Sequence, residues 1–169
     1  MTSWPPTGIT LLFGASVTAT VRDASRRDAV AALGASAVLE PGHEGDGGPY
    51  DVVLELVGAP SVEAVLPHLA TGARVVVIGV GGGAQVDLNL FSLMGTRARI
   101  GGSTLRGRSR SEKADVAAAM AAHVVPALAA GRIRVPVCET FPLSEAQAAY
   151  DRFAEGAKLG KVVLVDASA

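Results

Sequence analysis

The residues best suited to chemistry in this sequence are three arginines at the end of a predicted strand. Thr20, Val21 and Arg22 end that strand, and Arg26 and Arg27 lie in the helix predicted after it. A guanidinium binds a phosphate monoester through paired hydrogen bonds and keeps its charge. The cluster has two interpretations: a site for a ribose 2′-phosphate, which would select NADP over NAD, or a solvated helix face balanced by nearby aspartates.

A glycine-rich turn over residues 79–84 follows another predicted strand and formally satisfies the GxGxx[GA] dinucleotide pattern. In a true phosphate-binding turn a helix begins within the turn and directs its amides at the pyrophosphate. Here the apolar and polar alternation of residues 86–90 predicts a strand instead, and no acidic residue stands about 20 positions later to bind a ribose. We therefore interpret the turn as a loop at the carboxyl end of a parallel strand, where open α/β sheets bind ligands.

A second basic turn, residues 106–110, could bind a pyrophosphate or a carboxylate, although a surface loop before a helix explains the same residues better. The three histidines lie far apart and none is near a nucleophile motif. Cys138 lies in an extended apolar run, where burial is favoured over reactivity. The residues alone therefore indicate no catalytic constellation and no zinc-ligand cluster.

The elements that must position these residues are predicted from periodicity. Runs of valine and isoleucine alternate with alanine-rich segments of helical spacing, which predicts a doubly wound α/β fold with helices on both faces of a mostly parallel sheet. Strands are predicted over residues 17–21, 35–39, 51–56, 73–79, 86–90, 98–103, 134–141 and 161–165. Helices are predicted over residues 24–33 and 60–68, from 111 with a break at Pro126, and from a Ser144 and Gln147 capping box to about 155. Residues 41–49 are rich in turn formers and predict an exposed loop.

Composition excludes several classes of function. The 169 residues suit one domain or part of a larger protein, and 49% hydrophobic with 18% charged residues excludes intrinsic disorder. A net charge of -1 provides no positive field for nucleic acid. No apolar run approaches the about 18–20 residues that span a bilayer, and no leader pattern is present, so we expect neither export nor a membrane. The single cysteine fits a reducing, cytoplasmic setting.

Several stretches of the sequence resemble the medium-chain dehydrogenase/reductase superfamily, in its zinc-free quinone-oxidoreductase-like branch. The matching stretches are residues 14–22, 32–35, 50–58, 72–79, 101–106, 141–146 and 160–164. Their order and spacing are those of the C-terminal, Rossmann portion of the family, from about residue 14 to the end. The resemblance implies a Rossmann-like fold and a metal-free, NADPH-dependent oxidoreductase that transfers hydride to a quinone, enone or other activated carbonyl.

The resemblance also implies which residues contact the cofactor. The adenosine 2′-phosphate would be bound by Thr20, Arg22 and one of Arg26 or Arg27, with Val21 beside them. The adenine and ribose would be lined by Val57 and Gly58, and the nicotinamide by Gly79 and Val80. The cofactor would be closed over by Ser103, Leu105 and Arg106. Residues 86–103 would pair two subunits into a homodimer. The alternative is a catalytically silent module that acts in dimerisation or nucleotide binding only.

The sequence departs from the family at its beginning. There the family has a GroES-like catalytic domain, then the first Rossmann strand, a glycine turn and a helix, and residues 7–13 are too few to replace that crossover. We therefore expect an atypical segment over residues 1–13, a partial dinucleotide-binding domain over 14–106 that lacks the usual first βα unit, and a C-terminal part over 107–169. Residues 9–13 are expected to fill the vacant central position of the sheet. Some of the apolar surface is expected to be exposed.

Overall fold

The computed structural model describes residues 13–156 and 158–166, and within them strands alternate with helices as expected. The strands are β1 (Thr18–Thr20), β2 (Ala37–Leu39), β3 (Tyr50–Glu55), β4 (Leu69–Val77), β5 (Arg99–Gly102), β6 (Val137–Pro142) and β7 (Lys161–Val165). The α-helices are α1 (Arg27–Ala31), α2 (Ala59–Val65), α3 (Leu90–Thr96), α4 (Arg110–His123), α5 (Val125–Ala129) and α6 (Ala146–Ala154). The expected filling of the sheet by residues 9–13 falls outside the described residues, except for Phe13.

Every strand pairing among the described residues is parallel, which confirms the predicted α/β class. β1 pairs with β2, β4 lies between β3 and β5, and β6 pairs with β7. In the central group Glu55 is opposite Val77, and Val77 is opposite Gly102. The carboxyl ends of these three strands therefore meet at one edge of the sheet.

The core forms around β4 because its apolar side chains alternate between a buried and an open face. Ala73 and Val75 are each 1% exposed, and Leu69 joins them beneath neighbouring apolar residues. Helix α2 buries Val62 and Val65 at a spacing of three, so one face of the helix is apolar. Each buried valine contributes about 1.5–3 kcal/mol relative to an exposed one.

The predicted strand over residues 86–90 is wrong, because these residues lead into helix α3. The Asn89 side chain accepts hydrogen bonds from the Phe91 amide at 3.0 Å and the Ser92 amide at 3.1 Å. An N-terminal cap of this kind satisfies amides that have no partner within the helix. The local cap therefore overrides the alternating pattern that precedes it.

The capping boxes also differ from expectation. Ser144 lies in a 3-10 turn before α6, and Gln147 donates to Asp151 at 2.9 Å instead of closing a box. The box that forms is at α4: the Ser109 amide donates to Glu112 at 2.8 Å, and the Glu112 amide donates to the Ser109 hydroxyl at 3.2 Å. The hydroxyl and the amide of Ser109 lower the pKa of Glu112 below its usual value. The predicted helix break at Pro126 is confirmed, because α4 ends and α5 begins there.

The loop over residues 41–49 is mostly exposed as predicted, but Glu44 is only 5% exposed. Its carboxylate accepts from the Gly42 amide at 2.9 Å, and its carbonyl accepts from the Tyr50 hydroxyl at 2.8 Å. These contacts turn part of the expected loop into a short 3-10 helix packed beside β3.

Exposed apolar surface is present, as expected. Phe91 is 83% exposed and Met94 72%, and none of the residues of α4 is buried. Within residues 13–156 and 158–166, no helix combines the length and apolar character needed to cross a bilayer.

The Asn89 cap generates a stability prediction. Asn89→Ala is expected to lower the free energy of unfolding by about 1 kcal/mol, because two amides of α3 lose their acceptor. Urea denaturation measures the change, and Asn89→Asp, which keeps the acceptor, is the matched control. Equal stabilities of the alanine variant and the unaltered chain would contradict the cap.

Candidate functional site

The predicted site residues lie at the carboxyl ends of the parallel strands. Thr20 ends β1, Val57 and Gly58 follow β3, Gly79 and Val80 follow β4, and Ser103, Leu105 and Arg106 follow β5. Open parallel sheets bind their ligands at this edge. The fold thus places most of the sequence-predicted residues at the carboxyl ends of strands. Their contacts with a cofactor stay predictions.

Backbone hydrogen bonds join the loop after β3 to the glycine turn after β4. The Gly79 amide donates to the Glu55 carbonyl at 3.2 Å, the Gly82 amide to the Val57 carbonyl at 2.7 Å, and the Ala59 amide to the Gly83 carbonyl at 2.9 Å. No helix begins within the turn, and the chain is irregular until α3. The interpretation of this turn as a strand-end loop is confirmed.

Glu55 anchors this pair of loops, a role that the sequence analysis did not assign. Its side chain is buried at 2% exposure, and Oε1 accepts from the Val57 amide at 2.5 Å and the Gly58 amide at 2.8 Å. Hydrogen bonds to a carboxylate are shorter and stronger than neutral ones. The available signal was a carboxylate that ends an apolar strand three residues before a glycine.

Gly58 and Gly79 let the two loops approach each other closely. Gly58 has φ 115°, and a Cβ there would collide with the Gly83 carbonyl oxygen and lie 3.0 Å from Val80 Cα. A Cβ at Gly79 would collide with the Leu56 carbonyl oxygen. Both glycines are therefore required by contact between loops.

Apolar side chains line the strand ends without covering one another. Val57 is 39% exposed, Val80 51% and Leu105 60%. The Ser103 amide donates to the Val77 carbonyl at 2.9 Å and extends the pairing of β4 with β5 to this edge. Such a surface can hold the face of a planar ring.

Arg26 is already engaged within the chain. It forms an ion pair with Asp23 at 2.7 Å and donates to the Lys158 carbonyl at 3.2 Å. The hydroxyl and the amide of Ser25, together with the charge of Arg26, lower the pKa of Asp23 below its usual value. Asp23 therefore stays ionised, and its ion pair with Arg26 persists at neutral pH.

Arg27 is engaged as well, whereas Arg22 is not. Arg27 donates to the Val21 carbonyl at 3.2 Å and forms an ion pair with Glu40 at 3.1 Å. The exposed side chain of Arg22 has no hydrogen bond or ion pair with any residue that the structure describes. The arginine cluster is thus divided into two structural guanidiniums and one that is available to an anion.

The basic turn after β5 is also divided. Arg106 and Arg110 are exposed, but Arg108 is half-buried and donates from Nη2 to the Ser103 hydroxyl at 3.1 Å. The Arg108 amide donates to the Leu105 carbonyl at 3.3 Å. One of the three arginines is therefore fixed against a predicted site residue.

Residues 20–164 match the protein family described as zinc-binding dehydrogenase. Among solved structures, the chain is 30% identical to a thermostable alcohol dehydrogenase from Pyrobaculum aerophilum (94% of this chain, 45% of that one, TM-score 0.73). It is also 30% identical to the quinone oxidoreductase from Thermus thermophilus, which was solved with NADPH (94% and 52%, TM-score 0.78). A mycobacterial quinone oxidoreductase at 22% identity shares the fold (94% and 51%, TM-score 0.81). The comparison with curated proteins gave no match.

These matches confirm the expected Rossmann-like fold and superfamily. The chain spans about half the length of the solved structures that it matches. Although the family description names zinc, the described residues contain no group of three or more histidine, cysteine or acidic side chains arranged to hold a metal. The part of the chain that the structure describes does not fit a zinc ion.

The contact between the two loops generates a second prediction. A strained backbone alone costs about 1–3 kcal/mol. Gly58→Ala is expected to destabilise the protein by more than this, because the new Cβ would also collide with the glycine turn. Gly72→Ala is the matched control, since Gly72 has φ 80° but open space around a Cβ. Equal losses in urea denaturation would show that the collision is absent.

Proposed function

The chain belongs to the zinc-binding dehydrogenase family, and from this we propose that it forms the cofactor-binding part of an NADPH-dependent oxidoreductase. The enzyme would transfer hydride to a quinone, enone or other activated carbonyl, without a metal. The match to a quinone oxidoreductase solved with NADPH supports this substrate class and cofactor. The match to a dehydrogenase family does not favour a catalytically silent module.

Arg22 is the observation that carries the proposal. It follows β1 at the ligand-binding edge, and it alone of the three clustered arginines has no partner among the described residues. A ribose 2′-phosphate would supply the missing anion, with the Thr20 hydroxyl as a further donor. NADH lacks that phosphate, so the residue would select NADPH.

The other site residues would position the dinucleotide. Val57 and Gly58 would line the adenine and ribose, Gly79 and Val80 the nicotinamide, and Leu105 with Arg106 would close the site from β5. The nicotinamide itself supplies the hydride, and the chain binds and orients it. The exposed apolar side chains of Val57, Val80 and Leu105 would exclude water from one face of the ring.

The proposal includes a homodimer, the domain division and a cellular setting. Residues 86–103 would pair two copies, since Leu90 and Phe91 are 66% and 83% exposed and every residue of β5 is exposed at the edge of its sheet. The dinucleotide-binding part would span residues 14–106, with the C-terminal part over 107–169. One cysteine in the whole sequence supports a reducing compartment such as the cytoplasm.

A titration with both cofactors tests the proposal. Arg22→Gln is expected to weaken NADPH binding about 10- to 100-fold, the worth of a charged hydrogen-bond pair, and to change NADH binding less than about twofold. Nicotinamide fluorescence measures both dissociation constants. Arg134→Gln removes the same charge from an exposed arginine before β6, outside the proposed site and the proposed dimer segment, and should change neither dissociation constant.

Two results would contradict this assignment. Equal weakening of NADPH and NADH by Arg22→Gln would exclude a 2′-phosphate contact. Absence of saturable NADPH binding at millimolar concentration by the unaltered chain would exclude the cofactor.

A further inference from the structure

We propose that Arg108 is a second phosphate-binding cation of this site and contacts the phosphate next to the nicotinamide, while Arg22 contacts the 2′-phosphate. This inference rests on the proposed function. It narrows the pyrophosphate interpretation of the basic turn over residues 106–110, for which a surface loop was the favoured explanation, to the single side chain of Arg108.

The first reason is that Arg108 is held in place at the ligand-binding edge. Its guanidinium donates to the Ser103 hydroxyl at 3.1 Å, and the Ser103 amide is bonded to the Val77 carbonyl at 2.9 Å. A half-buried guanidinium fixed in this way has lost side-chain freedom before any ligand arrives. The cost of ordering it on ligand binding is correspondingly small.

The second reason is that Arg108 forms no salt bridge with a carboxylate among the described residues, although the pKa of Glu112 is lowered by the hydroxyl and the amide of Ser109 and also by the charge of Arg108. A guanidinium has five N–H donors, and only one bond from this side chain is made to a described residue. The nearby Glu112 carboxylate instead accepts from the amide and the hydroxyl of Ser109, at 2.8 and 2.7 Å. The other half-buried guanidiniums of the described chain, those of Arg26, Arg27 and Arg152, have a carboxylate oxygen at 2.7, 3.1 and 3.0 Å respectively.

The third reason is that the glycine turn cannot serve as the phosphate cradle. The amides of Gly79, Gly82 and Gly83 donate to carbonyls of Glu55, Val57 and Val80. Three of the turn's donors are thus engaged within the chain, and no helix begins there to add others. These three amides are not free to bind an anion, and the guanidinium of Arg108 would supply donors in their place.

The guanidiniums of Arg22 and Arg108 follow different strands. Arg22 follows β1, which pairs with β2, whereas Arg108 lies beyond β5 at the other side of the group formed by β3, β4 and β5. Two separated cations match an elongated ligand with two separated phosphate groups. A dinucleotide phosphorylated on its adenosine ribose is a ligand of that chemistry.

Fragments of the cofactor test Arg108 separately from Arg22. Reduced nicotinamide mononucleotide has only the phosphate next to the nicotinamide, and 2′-AMP has only the 2′-phosphate. Arg108→Gln is expected to raise the dissociation constants of reduced nicotinamide mononucleotide, NADH and NADPH by about tenfold or more each. The dissociation constant of 2′-AMP should change by less than about twofold. Calorimetric titration measures each dissociation constant on the full chain.

Two further variants serve as controls. Arg110→Gln removes the same charge from an exposed side chain two residues away, and should leave the dissociation constants of all four ligands unchanged. Arg108→Lys keeps a cation but loses the planar fork, so part of the affinity for reduced nicotinamide mononucleotide should return.

The outcomes separate this inference from the proposed function. If the unaltered chain binds NADPH but Arg108→Gln leaves reduced nicotinamide mononucleotide unchanged, or weakens 2′-AMP as strongly, the assignment of Arg108 is wrong and the proposed function stands. If the unaltered chain binds no NADPH, both are wrong.

Discussion

The buried carboxylate of Glu55 is the constraint on which the candidate site depends. It accepts the amides of Val57 and Gly58, and so turns the chain sharply at the end of β3. Removing the carboxylate would leave two amides without acceptors, at a cost of about 1–3 kcal/mol each. This sharp turn after β3 positions the Val57 carbonyl to accept a hydrogen bond from the glycine turn after β4.

The glycine turn and the arginines at the strand ends have different roles because of this arrangement. The amides of Gly79 and Gly82 hold the neighbouring loop, and that of Gly83 closes the turn itself, so these three donors are not free to bind a phosphate. In the proposed site, guanidiniums would bind the anions. The structure leaves Arg22 free and fixes Arg108 beside Ser103, whereas Arg26 and Arg27 hold the chain together.

The central strands were predictable because short runs of valine and leucine are typical of parallel strands, as at residues 52–54 of β3 and 75–77 of β4. The segment before α3 was not, since an alternating pattern cannot reveal that Asn89 will cap a helix. The roles of the arginines were equally hidden. Arg26 finds its acceptor on Lys158, which lies 132 positions away in the chain, and no local pattern contains that contact.

We propose that the loops at the carboxyl ends of β1, β3, β4 and β5 form one nicotinamide dinucleotide site. Amide resonances of the isotope-labelled chain, followed during an NADPH titration, test this proposal. We expect saturable changes confined to residues 20–22, 57–58, 79–80 and 103–108, with the resonances of residues 69–74, in the amino-terminal half of β4, unchanged. Changes confined to the amino ends of the strands, or the absence of saturable change, would contradict it.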